Sequence, residues 1–278
     1  ASDYKNNGVL SGASLSSEKG YTTTNWRDLF ISQDVLWIIT NLANTIETFN
    51  GSTFTNRDTA FDTTGSAASD YTCGDDVNGV TYLWGVMSSG RPVLKRSSDA
   101  GVTWSGDLVL HPAASTVRDA RYFNGDLYYI LQRQGGSVTQ SELRKYDVSA
   151  STDVLVYSFP GVKSNSTGGR FNRSMVASPG GKLYIHFDNG QIWQITTADV
   201  LTRIYNDTNS LKATDSMGVV HKGKVYFGNL VIDDTGTDIA IYNDRRNNAD
   251  DASAVPLASN GTILLFVTSP ILGTNPIN

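Results

Sequence analysis

Short runs of Val, Ile, Leu, Tyr and Trp, each bounded by Gly, Asn or Asp, recur along the whole chain. No stretch sets apolar residues at i, i+3, i+4 and i+7 over three turns, so the pattern predicts an all-β protein. The runs are themselves periodic. A turn ending in Gly or Asp, followed by an aliphatic and aromatic strand, appears as DVLWIIT from Asp34, GVTYLWGV from Gly79, GDLYYIL from Gly125, GKLYIHF from Gly181, GKVYFGN from Gly223 and GTILLFV from Gly261. The intervals are 45, 46, 56, 42 and 38 residues. Six units at such a period predict one domain spanning 1–278, a six-bladed β-propeller of four-stranded blades whose second strands begin near 34, 79, 125, 181, 223 and 261.

Each unit has a consistent interior. In the first, DLFIS, VLWIIT, TIETFN and FTNRD follow one another as inner, second, third and outer strands; in the fourth, SMVAS, KLYIHF, QIWQITT and LTRIYN do the same. The sixth unit is short, with only Ser269–Asn278 left after TILLFVT. The N-terminal segment GVLSGASL is therefore expected to close the last blade, which would remove an exposed sheet edge. A pair of β-sandwiches is the competing architecture, and it leaves the period unexplained.

Composition narrows the partners. Only 18% of the 278 residues are charged and the formal net charge is −5, so no basic surface exists to neutralise a phosphate backbone, and nucleic acid is not an expected partner. The single cysteine, Cys73, excludes an internal disulfide and a multi-cysteine metal site. No run approaches the roughly 18 apolar residues that span a bilayer, so direct membrane insertion is not expected. The three histidines, His111, His186 and His221, lack metal-ligand spacing. A surface rich in Asn, Ser, Thr and Gly with few Lys suits an extracellular β protein.

One stretch carries a recognisable pattern. SSDAGVTW, between RPVLKR and SGDLVL in the second unit, has Ser97, Asp99, Gly101, Thr103 and Trp104 at every position of S-x-D-x-G-x-T-W. It resembles the Asp-box (BNR) family of β-propellers. The residue types suit a blade hairpin: Ser and Asp side chains bond turn amides, Gly takes the left-handed conformation and Trp covers the turn from the core. Sialidases are the best-known members, and the resemblance to them implies several boxes, an Arg-Ile-Pro motif, three arginines for a substrate carboxylate and a Tyr nucleophile with an acidic partner. This chain has one well-formed box and no Arg-Ile-Pro.

In a propeller the loops entering the innermost strands ring the channel and form a natural binding face. The blade alignment places there Trp26, Arg27 and Asp28, Arg118 and Asp119, Asn172 and Arg173, and Asp215, with Asp75, Asp76 and Asp251 at matching positions. Trp26 suits the apolar face of a sugar ring. The arginines could form a cationic cluster or pair with their neighbours Asp28 and Asp119. Oxygen-rich turns offer calcium sites at Asp75 and Asp76, at Asp233 and Asp234, and at Asp251, although none has EF-hand spacing and each also works as an ordinary acidic turn.

A six-unit, cysteine-poor, Asn/Thr/Ser-rich chain with no recognisable catalytic set also resembles the receptor-binding head of the vertex spike of marine membrane-containing bacteriophages, the corticoviruses. That resemblance implies a virion-surface, calcium-binding head, monomeric on a multimeric stem, that attaches to a host-cell glycan or lipopolysaccharide without catalysis. Two other readings remain: a divergent sialidase-like glycoside hydrolase or lyase acting on an acidic polysaccharide, and a platform for protein partners. Hydrolysis would require two apposed carboxylates, which a sequence with 27 acidic residues neither nominates nor excludes.

Overall fold

The fold is seen in a computed structural model that describes residues 26–40, 45–133, 140–162, 174–187, 189–206, 218–227, 230–234, 239–243, 254–259 and 264–268. The chain forms an all-β propeller of antiparallel blades. The first blade comprises β1 (Trp26–Ser32), β2 (Val35–Thr40), β3 (Ile46–Phe49) and β4 (Phe54–Asn56). A short helix, α1 (Asp58–Asp62), leads to the second, with β5 (Asp70–Val77), β6 (Val80–Val86), β7 (Pro92–Ser97) and β8 (Val109–Leu110). The third holds β9 (Ser115–Phe123), β10 (Asp126–Arg133), β11 (Gln140–Asp147) and β12 (Thr152–Pro160). The fourth holds β13 (Met175–Ser178), β14 (Lys182–His186), β15 (Gln191–Thr196) and β16 (Leu201–Asn206). The fifth holds β17 (Gly218–His221), β18 (Lys224–Phe227), β19 (Leu230–Asp233) and β20 (Ala240–Asn243).

Among the described residues five four-stranded blades are present, not the six expected. The sixth unit contributes, among the described residues, only the two-stranded sheet of β21 (Ala254–Ser259) and β22 (Leu264–Thr268), with β21 beside β17. The N-terminal segment expected to complete it lies outside the described residues.

The alternation within each second strand explains how blades stack. Along β10, Leu127, Tyr129 and Leu131 pack against Tyr82, Trp84 and Leu94 of the second blade. Tyr128 and Ile130, pointing the other way, pack against Leu183, Ile185 and Phe187 of the fourth. A blade between two others buries both faces, so its second strand reads as a continuous apolar run. β14 repeats this arrangement, with Leu183 and Ile185 facing the third blade and Tyr184 the fifth.

Two polar devices, one of them fully buried, fasten the first blade to the second. Lys95 of β7 is fully buried, donates to the carbonyls of Phe61 (2.7 Å), Ser66 (2.7 Å) and Thr64, and lies 4.4 Å above the Phe61 ring, which pins α1 and the loop after it. Gln33, at the β1–β2 turn, donates to Thr81 Oγ1 (3.2 Å) and Ser97 O (2.6 Å) and accepts from Ala100 N. No helix among the described residues is long and apolar enough to cross a membrane.

His186, fully buried on β14 and 5.3 Å from the Phe227 ring, has its pKa pushed down from 6.5 to about 4 by burial. The unfolded chain binds this proton near the ordinary histidine value and the native chain only near the lower one. Stability is therefore lost as pH falls through that window and levels off below it. The contribution is at most about 3 kcal/mol. His186→Leu should flatten the decline in urea-denaturation free energy across the window; an unchanged decline would assign it to other groups.

Candidate functional site

One defect is repeated in three successive inner strands. In β1 the pairing steps from Trp26↔Thr40 to Asp28↔Ile39, in β5 from Tyr71↔Gly85 to Cys73↔Trp84, and in β9 from Val117↔Leu131 to Asp119↔Ile130. Arg27, Thr72 and Arg118 are thus the extra residues of matched β-bulges, which re-aim a side chain without ending the ladder. The residues that follow, Asp28, Cys73 and Asp119, are fully buried.

Both buried carboxylates bridge neighbouring inner strands. Asp28 accepts from Leu29 N (2.9 Å) in its own strand and from Gly74 N (3.1 Å) in the next blade. Asp119 accepts from Ala120 N (2.8 Å) and from Met175 N (2.7 Å) of the following blade. Arg121 joins the two, with Nη2 at 2.9 Å from Asp119 Oδ1 and Nη1 at 3.7 Å from Asp28 Oδ2, and it donates to Gly74 O (3.3 Å) and Ala120 O (2.5 Å). Burial opposes its charge, but Asp119, Asp28 and Asp75 outweigh burial and raise its pKa. Burial, reinforced by Asp28 and Asp119, pushes the Cys73 thiol well up, so it is an inert packing group.

The bulge arginines do not pair with their sequence neighbours. Arg27 forms an ion pair with Asp70 and donates to Tyr71 O at 2.8 Å. Arg118, half-buried, donates through Nε to Gln132 Oε1 at 2.7 Å. Among the described residues neither of its Nη groups has a hydrogen-bond or ion-pair partner. Its pKa is lowered by burial and then by repulsion from Arg27. Arg118 is therefore a partly desolvated cation repelled by a second cation.

The expected ligand residues thus separate. Arg27 and Arg118 stand at the inner-strand bulges, whereas Asp28 and Asp119 are core bridges within strands. Trp26 opens β1, and its side chain is outside the described set, as are Asn172, Arg173 and Asp215.

The acidic turns considered for calcium are engaged otherwise. Asp75 and Asp76 lie within β5, toward its far end, because the Thr72 bulge and the Asn78–Gly79 turn fix its register. Asp75 accepts from Tyr122 N (2.7 Å); Asp76 accepts from Ser32 Oγ (2.5 Å) and Gly79 N (3.0 Å). Asp233 pairs with Lys224 at 2.8 Å, and Asp234 accepts from Ser178 Oγ (2.6 Å) and Tyr184 Oη (2.9 Å). Asp251 is outside the described residues. No group of three or more His, Cys, Asp or Glu suited to a metal occurs among the described residues.

The SSDAGVTW turn joins β7 to β8 at the opposite end of the blade from the start of β5. Asp99 accepts from Ser97 Oγ (2.8 Å), Thr103 N (2.9 Å) and Thr103 Oγ1 (2.6 Å), and Ser97 Oγ accepts from Gly101 N (2.8 Å). Gly101 has φ 78°, and Trp104 packs edge-on against Trp37 and Phe61. The sequence did not nominate Asp70 or Gln132, but it offers the pairing of arginines with Asp28 and Asp119, which Arg121 makes. Its available signal was the Arg-Asp dipeptide repeated at Arg27–Asp28 and Arg118–Asp119 in matching blade positions.

No family model matches the chain, and no curated protein matches it. Among solved structures it is similar to a quinonprotein alcohol dehydrogenase-like protein from Bacteroides thetaiotaomicron, with TM-score 0.49 and 10% identity over 91% of this chain and 56% of that one. It is also similar to a putative TolB from Agrobacterium tumefaciens, with TM-score 0.46 and 10% identity over 88% of this chain and 81% of that one. A neuraminidase-like protein of a flat-faced bat isolate gives TM-score 0.46 and 7% identity over 79% of this chain and 73% of that one.

The two arginines of β9 should respond oppositely to the same substitution. Arg121→Met leaves two buried carboxylates without their cation and is expected to cost about 3–5 kcal/mol in denaturant unfolding. Arg118→Met removes an uncompensated charge and should leave stability unchanged or slightly higher. Equal losses would refute the division into bridge and free cation.

Proposed function

We propose that this chain is a non-enzymatic receptor-binding domain that recognises an acidic group on a cell-surface glycan at the channel mouth. Arg118 supplies the directed contact and Arg27 the second positive charge. The observation that carries this reading is the half-buried Arg118 guanidinium, engaged among the described residues only through Nε and repelled by Arg27. Such a group is stabilised by an incoming carboxylate or sulfate, to which a guanidinium presents paired N–H donors.

Binding is favoured over hydrolysis by the state of the channel carboxylates. Glycoside cleavage requires two apposed acids with access to the scissile bond. Asp28 and Asp119 are buried and already accept backbone N–H groups, and Arg121 lies between them. A shallow site of a few polar contacts gains strength by multivalent display. That fits the setting we propose, an extracellular head on a virion-surface spike carried by a stem. The hydrogen bonds around Asp99 support reading Ser97–Trp104 as an Asp box, with a scaffolding role because it lies at the far end of the blade. Completion of the sixth unit by the N-terminal segment belongs to the same proposal.

The test is binding of purified protein to immobilised acidic and neutral glycans, with released reducing sugar assayed in the same wells. Acidic glycans should bind preferentially, more weakly as salt rises, and without sugar release. Arg118→Met should lower affinity by about 10- to 100-fold, the factor for losing a hydrogen bond to a charged group. Equal binding of neutral glycans by wild type and variant would overturn the anion site, and released sugar would overturn the non-enzymatic assignment.

A further inference from the structure

The β3–β4 hairpin, far from the channel, carries a second piece of chemistry. Its turn is Asn50-Gly51-Ser52-Thr53, exposed throughout and closed by a bond from Asn50 N to Thr53 O at 3.3 Å. The side-chain oxygen of Asn50 accepts three hydrogen bonds, from Ser52 N (3.0 Å), Ser52 Oγ (3.0 Å) and Thr53 N (2.8 Å). Among the described residues, Gly51 N and Asn50 Nδ2 have no partner, and Gly51 has φ 99° with no side chain to shield its nitrogen.

We propose that Asn50 is a site of spontaneous, backbone-assisted deamidation, converted faster than any other Asn-Gly pair among the described residues. Gly51 N, giving its proton to solvent, attacks Asn50 Cγ and forms a Cγ–N bond. The electron pair of the C=O moves onto Oδ1. Three donors already point at that oxygen, as in an oxyanion hole. Collapse breaks the Cγ–Nδ2 bond; Nδ2 takes a proton from solvent and leaves as ammonia, and a five-membered imide remains. One water then adds to the ring. Opening at Cγ–N gives aspartate, and opening at the main-chain carbonyl gives isoaspartate. No electrons are exchanged, and water is the only co-reactant.

The other three pairs lack one or more of these conditions. At Asn78, Gly79 N is engaged with Asp76 Oδ1 (3.0 Å), and Asn78 Oδ1 faces only Tyr122 Oη (3.1 Å). At Asn124 the leaving amide is held, with Nδ2 donating to Thr197 O at 2.9 Å. At Asn189, Gly190 N donates to Phe187 O (3.1 Å), and Oδ1 accepts one bond, from Gln191 N (3.1 Å). Asn50 alone among these four combines a free nucleophile, a free leaving group and a multiply polarised carbonyl.

The two products affect the blade differently. Aspartate keeps the acceptor for Ser52 and Thr53, now charge-assisted, and adds one negative charge to a formal net of −5. Isoaspartate inserts a methylene into the main chain beside the Phe49↔Phe54 pair, whose rings lie 4.5 Å apart, and so strains the short edge strand β4.

The full chain would be aged at mildly alkaline pH, with site conversion followed by peptide mapping and isoaspartate by enzymatic methylation. Asn50 should convert first of the four. Ser52→Ala should slow it by about two- to tenfold, the factor for one neutral hydrogen bond. In concentrated urea, which removes the folded turn, the lead of Asn50 should disappear. Conversion of Asn78, Asn124 or Asn189 at an equal or greater rate in the folded protein overturns the proposal, as does a lead that survives in urea.

Discussion

The constraint on which the rest of the structure depends is the hydrogen-bonding of the inner strands. Blades stack face to face, so adjacent inner strands do not form a continuous ladder, and N–H groups that face the channel need another acceptor. Asp28 and Asp119 provide it, each spanning from its own strand to the next blade. Two carboxylates removed from water would be strongly unfavourable alone, and Arg121, reaching both, offsets that penalty. The bridge therefore couples the first four blades through backbone atoms, which apolar packing by itself would leave free to slide.

Apolar packing then sets the distance between blades, and buried polar groups set their register. The two faces of β10 belong to different cores, so no residue of that strand can move without disturbing two blades. Lys95 and Gln33 act at the periphery as Asp28 does at the centre, each binding several backbone carbonyls or amides of a neighbouring segment. The outer edge is protected differently. In β12 an irregular step between the Leu143↔Tyr157 and Arg144↔Leu155 pairs breaks the flatness of a strand that exposes Val154, Leu155 and Tyr157.

Much of this was legible in the chain itself. VLWIIT and DLYYILQR read as buried strands because nearly every residue in them faces one core or another, and the hairpin residues of SSDAGVTW state their turn through local hydrogen bonds. Local chemistry is visible to a sequence reading. Long-range pairing is not, and it governs the site. Arg27 and Asp28 are adjacent in sequence, yet the bulge turns them apart, toward Asp70 and toward Gly74 of the next blade. Asp75 and Asp76 read as a turn because they precede Asn78–Gly79, but one extra residue at Thr72 keeps them in the strand. The sixth unit reads as a blade from its apolar run, although a run of that kind fixes only one strand and its partner.

The bulges also separate two kinds of residue along one strand. At each, the residue after the extra position is buried, and in two of the three it is an aspartate that holds blades together. The extra residue itself is outside the pairing register and is Arg, Thr or Arg in the three successive blades. The two kinds stand one residue apart on the same strand: Asp119 is buried and ties its blade to the next, whereas Arg118 is half-buried and outside the ladder.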